Sequence, residues 1–200
     1  MNREAETSLK MLIEGNERFR AGQSNHYRYP PDFIRELGEG QEPQAAIVAC
    51  VDGRVAPEIL FDQPMGSLFV SRVPGNTASD SAKWMLEIAV QDMKVPLVIV
   101  LGHTQCLAVG QVLRGQSGPG GSLRMDIARA VHTAKMKDPP DIYRQAVIEN
   151  ALQTVRELEN ESWAVRNALD AGRIDIAAAI YDVHTGRVEV LSAKEASGAR

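Results

Sequence analysis

Three short apolar runs, QAAIVAC (44–50), SLFVSRV (67–73) and VPLVIVLGH (95–103), alternate with stretches of helical spacing, and this alternation restricts the fold more than any other feature. Strands separated by helices must be joined by crossovers, so the sheet is mostly parallel and covered on both faces. The run 57–62 reads as a helix between the first two strands, and TASDSAKWMLEIAVQDMK (77–94) as an apolar-faced helix capped near Ser79. From 122 to 171 the pattern is helical, interrupted at Pro139-Pro140. The closing DIAAAIYDVHTGRVEVL (175–191) reads as two strands joined through a His-Thr-Gly turn. The expected fold class is therefore α/β: a mainly parallel four-stranded sheet with an added antiparallel edge strand, flanked by helices.

Ahead of the first strand, ETSLKMLIEGNERFRAG carries Leu9, Leu12, Ile13 and Phe19 at helical spacing and ends in Gly22. A loop follows, and Pro30-Pro31 opens a second helix to about Leu37. The 200 residues suit one domain: residues 1–40 as a helical arm, 44–191 as the α/β core and 192–200 as a mobile tail. The net charge of −4 provides no basic face for nucleic acid or an anionic membrane. The N-terminal stretch lacks the apolar segment of a secretory leader, and the longest apolar run, 95–102, is too short to span a bilayer. A cytoplasmic protein is expected. In a reducing compartment the two cysteines, Cys50 and Cys106, read as metal-binding thiolates or as inert buried thiols rather than a disulfide.

In open α/β sheets ligands gather beyond the carboxyl ends of the strands. There the first strand delivers Cys50, Asp52 and Arg54, and the third delivers Gly102, His103 and Cys106. Two thiolates and an imidazole are donors that zinc prefers, and three protein ligands leave a fourth position open, the mark of a catalytic site. A lone cysteine would read as a small buried hydrophobe. Agreement between C-x-D-x-R on one strand end and H-x-x-C on another favours metal instead.

These motifs, Cys50-Val-Asp52-Gly53-Arg54 and His103-Thr-Gln-Cys106, resemble those of the β-class carbonic anhydrases. RVAPEILFDQPMGSLFVSRVPGN (54–76), VPLVIVLGHTQC (95–106) and YDVHTGRVEVL (181–191) extend the resemblance over about residues 7–191. It implies zinc on Cys50, His103 and Cys106, and reversible hydration of carbon dioxide to bicarbonate and a proton. It makes Asp52 and Arg54 the catalytic pair: Asp52 ligates zinc in a closed state and pairs with Arg54 in an open one. Gly75, Asn76 and Gly102 are candidate substrate contacts. Arg72 matches an arginine that some bacterial members use in a noncatalytic bicarbonate site, but Ile47 stands where those members have tryptophan, so that site is not expected. The resemblance also implies a homodimer or homotetramer whose N-terminal helices are exchanged between subunits.

Two departures lie near the chemistry. Gly53 replaces the usual serine or alanine, and Leu107 replaces the usual glycine after the second cysteine. Either could reshape the pocket, so hydrolysis of carbon disulfide or carbonyl sulfide and a catalytically silent zinc module are the alternatives. His26, His132 and His184 read as solvated or turn residues, Trp84 and Met85 as core, and Asp80 as a helix cap.

Overall fold

The computed structural model describes residues 1–191; the tail 192–200 lies outside the described residues. Two helices, α1 (Arg3–Arg20) and α2 (Pro31–Glu39), precede β1 (Ala45–Ala49), α3 (Pro57–Leu60) and β2 (Leu68–Arg72). A single 3-10 turn (Pro74–Asn76) leads into α4 (Asp80–Gln91), β3 (Leu97–His103) and α5 (Leu107–Leu113). Then come α6 (Gly121–Met136), α7 (Ile142–Glu161), α8 (Trp163–Asp170), β4 (Asp175–Tyr181) and β5 (Val188–Val190). The five strands lie in the order β2-β1-β3-β4-β5. The first four run parallel and β5 pairs antiparallel with β4, as the strand pattern predicts.

β1 and β3 are buried along their whole length, because helices cover both faces of the sheet. Alternate residues feed two cores. Ala46, Val48, Val98 and Val100 pack with residues of α4, α6, α7 and α8. Ala45, Ile47, Ala49, Leu97, Ile99 and Leu101 pack with Ala5 and Leu12 of α1 and Leu60 of α3. β1 neighbours β2 on one side and β3 on the other, so the chain reverses its direction of travel across the sheet at β1 and β3. A crevice at their carboxyl ends follows from this order.

Several local expectations need correction; Trp84, read as core, is 68% exposed. Ser79, not Asp80, caps α4: its side chain accepts the Ala82 N–H at 3.2 Å, and Asp80 is the first helical residue. The long helical stretch breaks a second time at Ser162, whose hydroxyl caps α8. The apolar stripe of α1 packs on its own chain through Leu12, while Leu9, Ile13 and Phe19 stay half-buried. Ala5 and Leu12 are fully buried. The buried Asn16 amide donates to the Leu60 and Gly186 carbonyls at 3.0 and 2.9 Å and accepts the Val188 N–H at 2.9 Å. α2 is the helix without such cover; among the described residues, none of it is buried.

Gly15 makes this docking possible. A Cβ there would lie 1.8 Å from the Phe61 carbonyl oxygen, a backbone atom that cannot turn aside. Gly15→Ala must push α1 off α3, and overpacking against backbone costs about 3 kcal/mol. A thermal melt of the full chain is expected to shift down by roughly 6–12 °C at this size. An unchanged midpoint would mean that α1 does not sit on its own chain in solution.

Candidate metal centre

Cys50 follows β1, His103 ends β3, and Cys106 immediately precedes α5. Their side chains, drawn from neighbouring strands, offer three donor atoms within 4.8 Å of one another, all buried. The two sulfurs are 4.0 Å apart, far beyond a disulfide bond. Two thiolates at 2.3 Å from one tetrahedral zinc would stand about 3.8 Å apart, so the spacing suits the ion. His103 completes the case. Its Nδ1 lies 2.9 Å from the Thr104 carbonyl, to which it donates, leaving the Nε2 lone pair free. That Nε2 is buried and has no hydrogen-bond partner, which is costly unless a metal takes the lone pair. The residues fit zinc.

The two thiols are in hydrogen-bond contact with each other. The Cys106 thiol donates toward Cys50, and with the N–H groups of Asp52 and Gly75 it holds the Cys50 thiol below its ordinary range against the cost of burial. Cys106 is pushed up by that same hydrogen bond and by burial, although the Val109 and Ala108 N–H groups at the start of α5 act the other way. A divalent cation would displace the thiol protons and bind both sulfurs as thiolates.

Asp52 is turned away from this cluster. Arg54 grips its carboxylate with two parallel bonds, Nε to Oδ1 at 2.9 Å and Nη2 to Oδ2 at 2.7 Å, and the Arg54 N–H adds a third at 3.0 Å. The side-chain bonds from Arg54 hold the Asp52 carboxyl well below the usual carboxylate range, so it stays ionised. Gly53 between them is exposed, and a Cβ there would meet nothing within 4 Å. The departure from serine or alanine thus leaves the pair intact.

Residues outside the ligand set hold the ligands in place. Arg72 donates to the Cys50 and Asp52 carbonyls at 3.0 and 2.6 Å, fastening the loop after β1. Tyr143 of α7 donates its hydroxyl to the Cys106 carbonyl at 2.5 Å. Gly75, at φ 67°, is buried, and a Cβ there would strike Ile127 Cδ1 at 2.8 Å. Neither its spacing nor its type marks Tyr143 in the sequence.

Beside the sulfurs opens a cavity of about 250 Å³ lined by Cys50, Val51, Asp52, Pro74, Leu107, Ala108 and Gln111. Gly75 and Asn76 are buried and do not line it, although the Asn76 amide nitrogen is buried without a partner. Gly102 does not line it either. It pairs with Ile180 in the ladder, and a Cβ on it would meet Ile180, Ala151 and Val147, so its small size serves the packing of α7 on the sheet. Leu107 is 63% exposed, at the rim rather than inside.

The sequence model of the carbonic anhydrase family matches residues 45–188. The chain is also 35% identical over 183 residues to carbonic anhydrase 2 of Mycobacterium tuberculosis, covering 89% of this chain and 88% of the relative. The chain belongs to the carbonic anhydrase family. The carbonic anhydrase of Mycolicibacterium smegmatis is likewise 35% identical, over 92% of this chain and 91% of its own. Among solved structures, the β-carbonic anhydrase CcaA superposes with a TM-score of 0.73 at 25% identity, covering 94% of this chain and 89% of that one. A Coccomyxa β-carbonic anhydrase in complex with acetazolamide gives a TM-score of 0.66 at 25% identity, with coverage of 79% and 76%. The fold is thus that of the β-class carbonic anhydrases, zinc enzymes whose metal the Cys50, His103 and Cys106 cluster suits. Among the described residues, no helix is long and apolar enough to cross a membrane.

Proposed function

We propose that this chain is a carbonic anhydrase that hydrates carbon dioxide reversibly to bicarbonate and a proton, with zinc on Cys50, His103 and Cys106. The observation that carries the reading is the buried, unpartnered His103 Nε2 facing two thiols in a family member. Zinc supplies a Lewis acid that brings the pKa of a coordinated water down to about 7.

The chain's own residues supply the rest. Arg54 keeps Asp52 ionised and off the sulfurs, which leaves a fourth position beside them free. An ionised carboxylate can only accept, so Asp52 takes a hydrogen bond from the attacking water and turns a lone pair toward carbon dioxide. Val51, Pro74, Leu107 and Ala108 give the cavity an apolar wall, suited to a linear, uncharged substrate. Cys50, His103 and Cys106 would hold the zinc, and Asp52, were Arg54 to release it, would be a further carboxylate available to the ion. The protein is a zinc lyase on this reading.

Two broader features belong to the same proposal. Thiols meant to act as metal-bound thiolates suit a reducing cytoplasm. Val51 and Leu107 are more than half exposed at the cavity rim, and Ile34 on the uncovered α2 is 47% exposed, which supports a homodimer or homotetramer that covers them.

Stopped-flow measurement of carbon dioxide hydration by the zinc-loaded full chain tests the reading. Turnover is expected to be weak at acid pH and to rise through about pH 7. A zinc-replete protein inactive at every pH would leave only a silent zinc module.

A further inference from the structure

Gln105, between the ligands His103 and Cys106, has φ 57°, an uncommon backbone conformation for a side chain of its size. From there it meets Arg54 twice: Arg54 Nη1 donates to Gln105 Oε1 at 3.4 Å, and Nη2 to the Gln105 carbonyl at 3.3 Å. On its other side, Gln105 Nε2 lies 2.6 Å from His184 Nε2. The chemistry of the donors orients this chain of contacts. A guanidinium can only donate, so the Gln105 amide oxygen faces Arg54 and the amide NH₂ faces His184. His184 Nε2 must then accept, with the ring proton on Nδ1.

His184 is itself seated on a braced turn. Its N–H, together with the Thr185 N–H and hydroxyl, binds Asp182 Oδ1 at 2.8–3.0 Å. The Val183 N–H donates to Thr104 Oγ1 at 3.0 Å, and the Thr104 N–H to the Tyr181 carbonyl at 2.9 Å. The turn between β4 and β5 is thereby fastened to the end of β3, where the metal ligands begin.

We propose that Gln105, seated against His184, is a positioning residue that holds Arg54 on Asp52. The proposal rests on the reading of Asp52 and Arg54 as the pair that governs the fourth metal position. Arg54 is exposed and long, and a side chain of that kind samples many rotamers unless contacts on more than one side restrain it. Asp52 restrains it on one side and Gln105 on the other. Without the Gln105 amide, only the backbone carbonyl remains, and Arg54 spends less time on Asp52, which is then freer to ligate the metal. Neither Gln105 nor His184 touches the reacting atoms; both act through Arg54.

Four variants of the zinc-loaded full chain test this: Gln105→Ala, His184→Ala, His184→Gln and, for comparison, Arg54→Ala. Gln105→Ala and His184→Ala are expected to lower kcat/KM roughly five- to tenfold, the scale of one ordinary net hydrogen bond, with zinc content unchanged. His184→Gln places an amide oxygen near the former Nε2 and should recover activity to within about twofold of wild type, a rescue that a general packing role would not give. The visible spectrum of the cobalt(II)-substituted protein provides a readout independent of turnover. In Gln105→Ala it is expected to move toward the Arg54→Ala spectrum, reporting more Asp52 on the metal. Wild-type kcat/KM and spectrum in both alanine variants, or a His184→Gln no better than His184→Ala, would overturn the proposal. If Arg54→Ala alone is impaired, only the bracing by Gln105 fails. If Arg54→Ala is as active as wild type, the reading of the pair fails and this proposal fails with it.

Discussion

Cys106→Ser is expected to leave the purified protein with little zinc, where wild type should carry about one ion per chain. The position is well suited to isolate the effect of the donor. Tyr143 fastens the Cys106 carbonyl, and the start of α5 directs backbone N–H groups at the sulfur, so the residue stays where it is when its side chain changes. What changes is the ligand. A thiol loses its proton to zinc readily at neutral pH, whereas a serine hydroxyl keeps its proton and is a poor donor for this ion. Two strong ligands remain, and buried His103 Nε2 again lacks a partner for part of the time. Metal analysis after dialysis, with hydration activity measured alongside, checks the expectation. Full zinc retention with full activity would remove Cys106 from the ligand set.

The second large effect is expected for Arg54→Ala: turnover falls by at least about a hundredfold, the scale seen when a group that orients the reacting atoms is lost, while zinc stays bound. Arg54 supplies both side-chain bonds to the Asp52 carboxylate and is the main reason its pKa lies below the usual range. Removing it lets the pKa rise toward the ordinary carboxylate value of about 3.9, so the sign is clear. Asp52 remains ionised at neutral pH but has lost its cation. Beside it lies a cavity that also exposes Cys50, and the strongest positive charge left nearby is the metal. The carboxylate moves there and occupies the position that water needs. Metal content equal to wild type, with activity lost, is the expected signature. Undiminished turnover would show that the pair does not govern the site.

Much of this architecture is legible in the chain, and the limits have physical causes. The strand runs near Ile47 and Ile99 are apolar on both faces, which only a covered parallel sheet accommodates, so the sheet and its ligand-bearing ends can be read directly. The stripe on α1 is a different case. Amphipathicity says that a helix has a partner but not which one. What decides is Gly15 against the Phe61 carbonyl and Asn16 bonding to Leu60, Gly186 and Val188, contacts that span up to 172 residues of sequence. The metal ligands are legible because their chemistry is distinctive. Their supports are not, because Arg72, Gln105, Tyr143 and His184 are ordinary residue types whose meaning comes from reaching across the fold. Gly102 carries a second demand that its place next to a ligand does not reveal: a Cβ there would meet Ile180.

The reversal of chain direction at β1 and β3 also bears on how the protein is assembled. Cys50 and Cys106 are separated by 56 residues and meet only once these two strands lie side by side. A one-residue slip in their pairing would turn every side chain to the opposite face and scatter the donors. Metal capture is therefore a register check on the centre of the sheet. An ion that binds only the correctly zipped pair stabilises it in proportion to the logarithm of its concentration over Kd. A zinc-poor cell would then hold chains that unfold more readily and are cleared sooner by proteases, so that scarcity of the metal lowers the amount of protein as well as its turnover.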